Sequence, residues 1–236
     1  TDDDACYEQY TTGSNDAGGK GTYATNLIPV AALRKSTVAD GQRDTFLFGG
    51  PIKFSGYFQG YTAAALADHQ HFSWLSLKAH EHNKAGTVTL RSTNPLDTPL
   101  INFNYFDAGT AGVDDLDLQP QVEGIAWMRE VYKNIAAPNN DFTEIIPGPN
   151  VTTDEDIKEF IKNESWGHHA SSTVKIGEDS DPMAVLDGNF RVRGVKGLRV
   201  VDASVFPQVP GFFPVASVYM IGEKAADVIL AESASE

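Results

Sequence analysis

Six histidines are the side chains best suited to acid–base chemistry in this 236-residue chain, and they fall into three pairs. An imidazole titrates near neutrality, so it can take up or return a proton at working pH. His168 and His169 are adjacent, in Trp166-Gly-His-His-Ala-Ser-Ser-Thr-Val-Lys-Ile-Gly177. Neighbours in an extended segment point to opposite sides, so only one of the two faces a given site. His69-Gln-His71 and His80-Glu-His82 alternate instead. On a strand, each of those pairs would share one face, as a metal site requires, but no third ligand cluster accompanies them. We read them as surface histidines and expect no metal.

Other candidates are few. A single cysteine, Cys6, cannot close an intrachain disulfide; it is free or pairs with another chain. Asn150-Val-Thr152 and Asn163-Glu-Ser165 are N-glycosylation sequons. The formal charge of −14 and a pI near 4.7 argue against nucleic acid or an anionic membrane surface as partner, because phosphates would be repelled. No run is apolar and long enough to span a bilayer. The first residues, Thr1-Asp-Asp-Asp-Ala-Cys6, contain no signal peptide, so either one has been removed or the chain begins internally.

The elements that must position these groups can be sketched from periodicity. The first forty residues, rich in Gly, Thr, Asn and Asp, read as irregular, with a short helix or strand around 27–33. Residues 54–61 mix aromatics with glycine and suggest a loop near a pocket. Residues 72–78 and 86–92 read as strands, and 100–106 resumes after Asn94-Pro95 and Pro99; together they predict an antiparallel sheet. A helix over 119–135 carries Val122, Ile125, Arg129 and Tyr132 on one face, with Met128 beside them. A second begins at Thr152 or Thr153, with Ile157, Phe160 and Ile161 as its buried stripe. Beyond His169, short strands are predicted at 185–186 and 190–193, and a buried strand of a parallel or mixed sheet at 198–202. Pro214 opens a last helix running to about Leu230, with Val218, Ile221 and Ala225 facing inward.

Several separated motifs agree with one family. Residues 85–106, Ala-Gly-Thr-Val-Thr-Leu-Arg-Ser-Thr-Asn-Pro followed by Pro99-Leu-Ile-Asn-Phe-Asn-Tyr-Phe106, resemble the substrate-domain signature of the glucose–methanol–choline (GMC) flavin oxidoreductases. Lys20-Gly-Thr-Tyr-Ala-Thr-Asn26 resembles another of that family's segments, and residues 166–177, 197–207 and 213–229 resemble its C-terminal end. The resemblance covers nearly the whole chain in the family's order. It implies an α+β fold: an antiparallel-sheet substrate domain over 1–165, joined to the C-terminal strands and helix of a Rossmann-like FAD-binding domain over 166–236.

The resemblance also implies FAD. Dinucleotide phosphates need a glycine-rich loop feeding a helix N-terminus, and the chain has no Gly-x-Gly-x-x-Gly run. We therefore expect the C-terminal portion of a split or cleaved enzyme, working with an N-terminal FAD-binding partner chain. The family's His-x-x-x-Thr-x-x-(Met/Ile)-Gly pattern falls on His169 to Gly177, which makes His169 the implied base in oxidation of a small-molecule alcohol. His168 is then a pocket-lining or flavin-supporting residue. A second catalytic His or Asn is usual just before the last helix, and Phe212 and Phe213 stand there instead. Phenylalanine neither donates nor accepts a proton, so the expected substrate is flat or apolar. Asp202, Ala203, Pro214 and Val215 are the implied cofactor contacts. The sequons at Asn150 and Asn163 fit a secreted, fungal-type glycoprotein. Two competing functions keep the fold: a hydroxynitrile-lyase-type enzyme without a redox step, and a non-catalytic binding fragment.

Overall fold

The computed structural model describes residues 4–13, 19–24, 28–68, 70–138 and 141–234. Several expectations fall partly outside that range: the first forty residues at 1–3 and 14–18, the 20–26 segment at 25–26, Leu27 of the 27–33 segment, and His69.

The chain opens with a helix where irregular structure was expected. In α1 (Ala5–Thr12), the Asp4 carboxylate accepts from the N–H groups of Cys6 and Tyr7, and Gly13 ends the helix in the left-handed region at φ 67°. No residue of α1 is buried. With no apolar stripe, its caps are the only sequence signal of a helix.

A three-stranded antiparallel sheet follows, made of β1 (Val30–Arg34), β2 (Thr45–Gly50) and β3 (Ser73–Lys78), with β2 in the centre. Its register runs from Thr45 opposite Lys78 to Gly50 opposite Ser73. Alternation along β2 gives the strand two different faces. Leu47 is wholly buried on the side of α3, the helix that packs on this sheet, while Phe46 and Phe48 point away from it toward Phe213. Between β2 and β3 the chain makes a long excursion that contains α2 (Tyr61–Leu66).

The other predicted strands pair separately. β4 (Thr87–Thr89) and β5 (Leu100–Asn102) form an exposed antiparallel two-stranded sheet, so the single sheet expected over 72–106 is two. Next, α3 (Val113–Lys133) lies against β2 and β3, beginning six residues before the expected start at 119. Pro120 lies inside it, and Gly112 precedes it at φ 82°. Leu118, Val122 and Ile125 of α3 close a core with Ile157 and Ile161 of α4 (Asp154–Glu164). Thr153 caps α4 by accepting the Asp156 N–H at 3.1 Å.

A second core gathers the C-terminal residues Leu186, Phe190, Val205, Phe206 and Ala225. Ala225 belongs to α5 (Val215–Ser233), whose Val218 and Ile221 pack on the same cluster. The buried strand expected at 198–202 is not formed. Only isolated bridges occur there, such as Arg191 with Arg199, and Leu198 and Val201 are half-exposed. The run has strand-forming composition, but no described strand runs beside it to complete a ladder. The segments 185–186 and 190–193 likewise make single bridges rather than strands. Among the described residues no helix is long and apolar enough to cross a membrane.

Candidate active site

The histidine segment is held by backbone bonds to a neighbouring stretch. Ser172 N–H donates to Ala203 C=O at 3.3 Å, Val174 to Ser204 at 3.0 Å and Ile176 to Val205 at 2.9 Å. Val205 is 1% exposed and anchors that stretch in the C-terminal core. Between these bonds and His169, the backbone turns through Ser172 in the left-handed region at φ 70°, which is unfavourable for a residue with a side chain.

The two adjacent histidines diverge. The partly buried ring of His169 meets Phe213 edge-on, with centroids 6.0 Å apart and planes at 73°. Phe213 packs in turn on Phe46 at 5.3 Å and Phe48 at 5.8 Å, and Phe212 packs on Phe46 at 5.7 Å. His168 turns to the 51–72 excursion, where its ring lies 4.2 Å from Tyr57 and 5.1 Å from Trp166. Trp166 also meets Tyr57 at 4.9 Å and Phe54 at 6.0 Å. One histidine thus faces a phenylalanine wall and the other a Tyr–Trp lattice.

Phe213, the ring that meets His169, immediately precedes Pro214, the cap residue of α5. Pro214 offers no side-chain bond. The first internal bond of α5 there is Val218 N–H to Pro214 C=O at 2.8 Å, so the N–H groups of Val215, Ala216 and Ser217 have no intrahelical partner. Val215 is 63% exposed. Such an end favours negative charge.

Asp202 and Ala203 contribute differently from one another. The Asp202 carboxylate accepts from the Ser204 hydroxyl and from the Ser204 N–H at 2.8 Å, capping a short helical turn over Ala203–Val205. Those bonds hold its carboxyl below the ordinary range. The Ala203 N–H has no partner among the described residues. Free donors at Ala203 and at the head of α5 fit an anionic, electron-rich group such as FAD. The rest of a dinucleotide site, a glycine-rich phosphate loop, is not in this sequence.

The remaining histidine pairs do not act as pairs. His80 adopts φ 59°, which breaks the alternation that would align it with His82. His82 Nδ1 lies 3.1 Å from the Asp117 carboxylate, which also accepts from the backbone N–H groups of His82 and Asn83. His71 Nδ1 lies 2.8 Å from Asp68. Among the described residues no group of three or more His, Cys, Asp or Glu converges as a metal site would need.

The sequence reading missed Phe46 and Phe48, and singled out Tyr57 only as part of the aromatic 54–61 loop. Phe46 and Phe48 reach Phe213, and Tyr57 reaches His168, from more than a hundred residues away, and local pattern does not announce such contacts. Trp166 lay within the segment that drew notice, and its aromatic bulk next to Gly167-His168 was the available signal.

Within an α+β fold, a half-buried imidazole thus lies against an apolar wall whose last ring, Phe213, leads into α5. A family profile described as GMC oxidoreductase matches residues 82–222, more than half the chain, so this chain belongs to the GMC oxidoreductase family, whose cofactor is FAD. It is 43% identical over 146 residues to an oxygen-dependent choline dehydrogenase of Vibrio vulnificus, covering 61% of this chain and 25% of that protein. It is 40% identical over 226 residues to versicolorin B synthase of Emericella nidulans, covering 94% of this chain and 34% of that protein. A solved formate oxidase shares the fold, with a TM-score of 0.70 at 22% identity over 95% of this chain and 41% of that one. The chain thus spans about a quarter to a third of the length of these curated relatives.

Proposed function

We propose that this chain supplies the substrate-facing surface and the proton acceptor of an enzyme that oxidises an alcohol with FAD. One observation carries the reading: the His169 ring lies against Phe213, and the free N–H groups of α5 begin two residues further on. FAD, when bound, supplies the hydride acceptor. His169 takes the substrate's hydroxyl proton, a task suited to an imidazole at neutral pH. The N–H groups of Val215 and Ala216 offer donors and a positive dipole end to an electron-rich edge of the cofactor, and Ala203 N–H offers a further donor. Phe213, Phe46 and Phe48 present an apolar wall that favours a flat or apolar substrate. His169→Gln in the full-length enzyme should slow anaerobic cofactor bleaching by about two to four powers of ten while cofactor stays bound. An unchanged bleaching rate would remove His169 from this role.

A second reading has its own observation. No proton-bearing side chain stands at Phe212 or Phe213, and the relative matching 94% of this chain is named a synthase. A lyase- or synthase-type reaction would use His169 as a base without net oxidation. Product formed with no change in cofactor absorbance favours this reading; bleaching by substrate favours oxidation.

The exposed side of α5 supports a proposal about the partner. Val215, Tyr219, Met220 and Leu230 are 63%, 74%, 71% and 68% exposed, and an apolar patch of that kind marks an interface. We propose that the FAD-binding portion of the enzyme, carrying its glycine-rich fingerprint, covers this face, on a partner chain as in a split or cleaved enzyme. Mass analysis of the purified enzyme separates one long polypeptide from two.

We further propose, from the two sequons, that the protein is a secreted glycoprotein. Asn150 is exposed in the turn before α4, while the Asn163 amide donates to the Glu159 carbonyl and carboxylate, both at 3.0 Å. Asn150 is the better acceptor, and peptide masses before and after enzymatic deglycosylation test it.

A further inference from the structure

Between β2 and β3 the excursion encloses a cleft that the redox reading does not use. Its volume is about 410 Å³, within the range of small-molecule sites. Phe54, Phe58 and Tyr61 supply aromatic surface, and Ala64 lies among the small residues that line α2's side. Rings and methyl groups together make an apolar slot that suits an aromatic occupant.

The polar groups in the lining narrow the class. Lys53 Nζ lies 3.5 Å from Asp68 Oδ2. Asp68 Oδ1 accepts from the Gln70 N–H at 3.0 Å and lies 2.8 Å from His71 Nδ1, so Oδ2, shared with Lys53, is the oxygen within reach of a ligand. A hydroxyl can donate to Oδ2 and accept from Lys53 at once, whereas a carboxylate can do only the second and would face Asp68 with like charge. A cation over the rings would be repelled by Lys53. We propose that this cleft binds a hydroxylated arene, its hydroxyl bridging the solvent-open side of the Lys53–Asp68 pair.

The site also touches the histidine segment indirectly. Phe54 lies 5.0 Å from Tyr57, whose ring meets that of His168 at 4.2 Å with planes tilted by 46°. Occupancy would therefore fix the lattice on which His168 rests.

Calorimetric titration of the full-length protein with 2-naphthol tests the site without turnover, so its outcome is independent of the His169 test. Saturable binding is expected, weakened about tenfold or more by Ala64→Trp, which fills the slot. Ala64→Ser should keep affinity near the native value, which guards against a folding defect. 2-Methoxynaphthalene, unable to donate, should bind about fivefold or more weakly than 2-naphthol. No saturable binding, equal affinity in Ala64→Trp, or equal affinity for the methoxy compound each overturns the proposal.

Discussion

Lys78 of β3 and Asp117 of α3 form an ion pair at 3.1 Å inside the protein, their side chains only 6% and 4% exposed. The pair ties the sheet to the helix that packs on it. Lys78 also donates to the carbonyls of Ala79 and His80, and Asp117 collects the N–H groups of His82 and Asn83. This satisfied cluster holds the turn 79–83 in shape, including the left-handed backbone of His80.

Acid should loosen this cluster. Burial pushes the Asp117 carboxyl up, but the N–H groups of His82 and Asn83 and the Lys78 charge outweigh it and leave the carboxyl below its ordinary value. A folded value below the unfolded one of about 3.9 means the contribution is present above that pH and disappears as pH falls through the folded value. Asp117→Asn, which leaves Lys78 buried without its counter-charge, should cost about 3–5 kcal/mol at neutral pH. Its stability should also fall less steeply than the native protein's below about pH 4. Urea unfolding from pH 7 to pH 2.5 measures both, and parallel curves would disprove the acid effect.

Arg129 should clamp the 141–151 loop. It meets Glu144 through two N–H groups at 3.0 and 2.8 Å and also donates to the Val151 carbonyl at 2.7 Å. Arg129→Met keeps the aliphatic stem and removes every donor, and about 2 kcal/mol should be lost. Limited proteolysis should then cut within 141–151 before any other region; an unchanged digestion pattern would show that the loop is held by other contacts.

Gly124 lets α3 approach the sheet. A β-carbon there would lie 3.0 Å from Ser76 Oγ and 3.2 Å from Leu47 Cδ2. Gly124→Leu gains helix propensity but must displace the fully buried Leu47, so we expect a net loss of about 2 kcal/mol or more. A melting temperature equal to the native value would mean the helix can lift off the sheet freely.

Legibility in the sequence tracked how local each signal was. Thr153 followed by acidic residues and the Ile157–Ile161 stripe announced α4, and Pro214 with Val218, Ile221 and Ala225 announced α5. β2, the central strand, went unread because Phe46, Leu47 and Phe48 are apolar in succession and show no polar alternation. Its two faces serve different partners: α3 on one side and the phenylalanine wall on the other. At 198–202 the opposite happened: β-branched composition suggested a ladder, yet composition says nothing about whether a neighbouring strand is there to complete it. For the candidate site, the divergence of His168 from His169 followed from chain geometry alone. The rings each one meets, Tyr57 and Phe213, are brought there by tertiary folding.

Thr45 to Gly50 zip against Ser73 to Lys78 in unbroken register, and the excursion leaves and re-enters the sheet at one hydrogen-bonded rung, Gly50 opposite Ser73. Whatever lies beyond that rung can be lengthened, shortened or exchanged at a modest closure entropy without breaking the β2–β3 ladder, provided the Tyr57 contact with His168 is kept. Ligand preference in this branch can therefore drift by loop replacement alone, and an engineer can graft a foreign segment at the same joint.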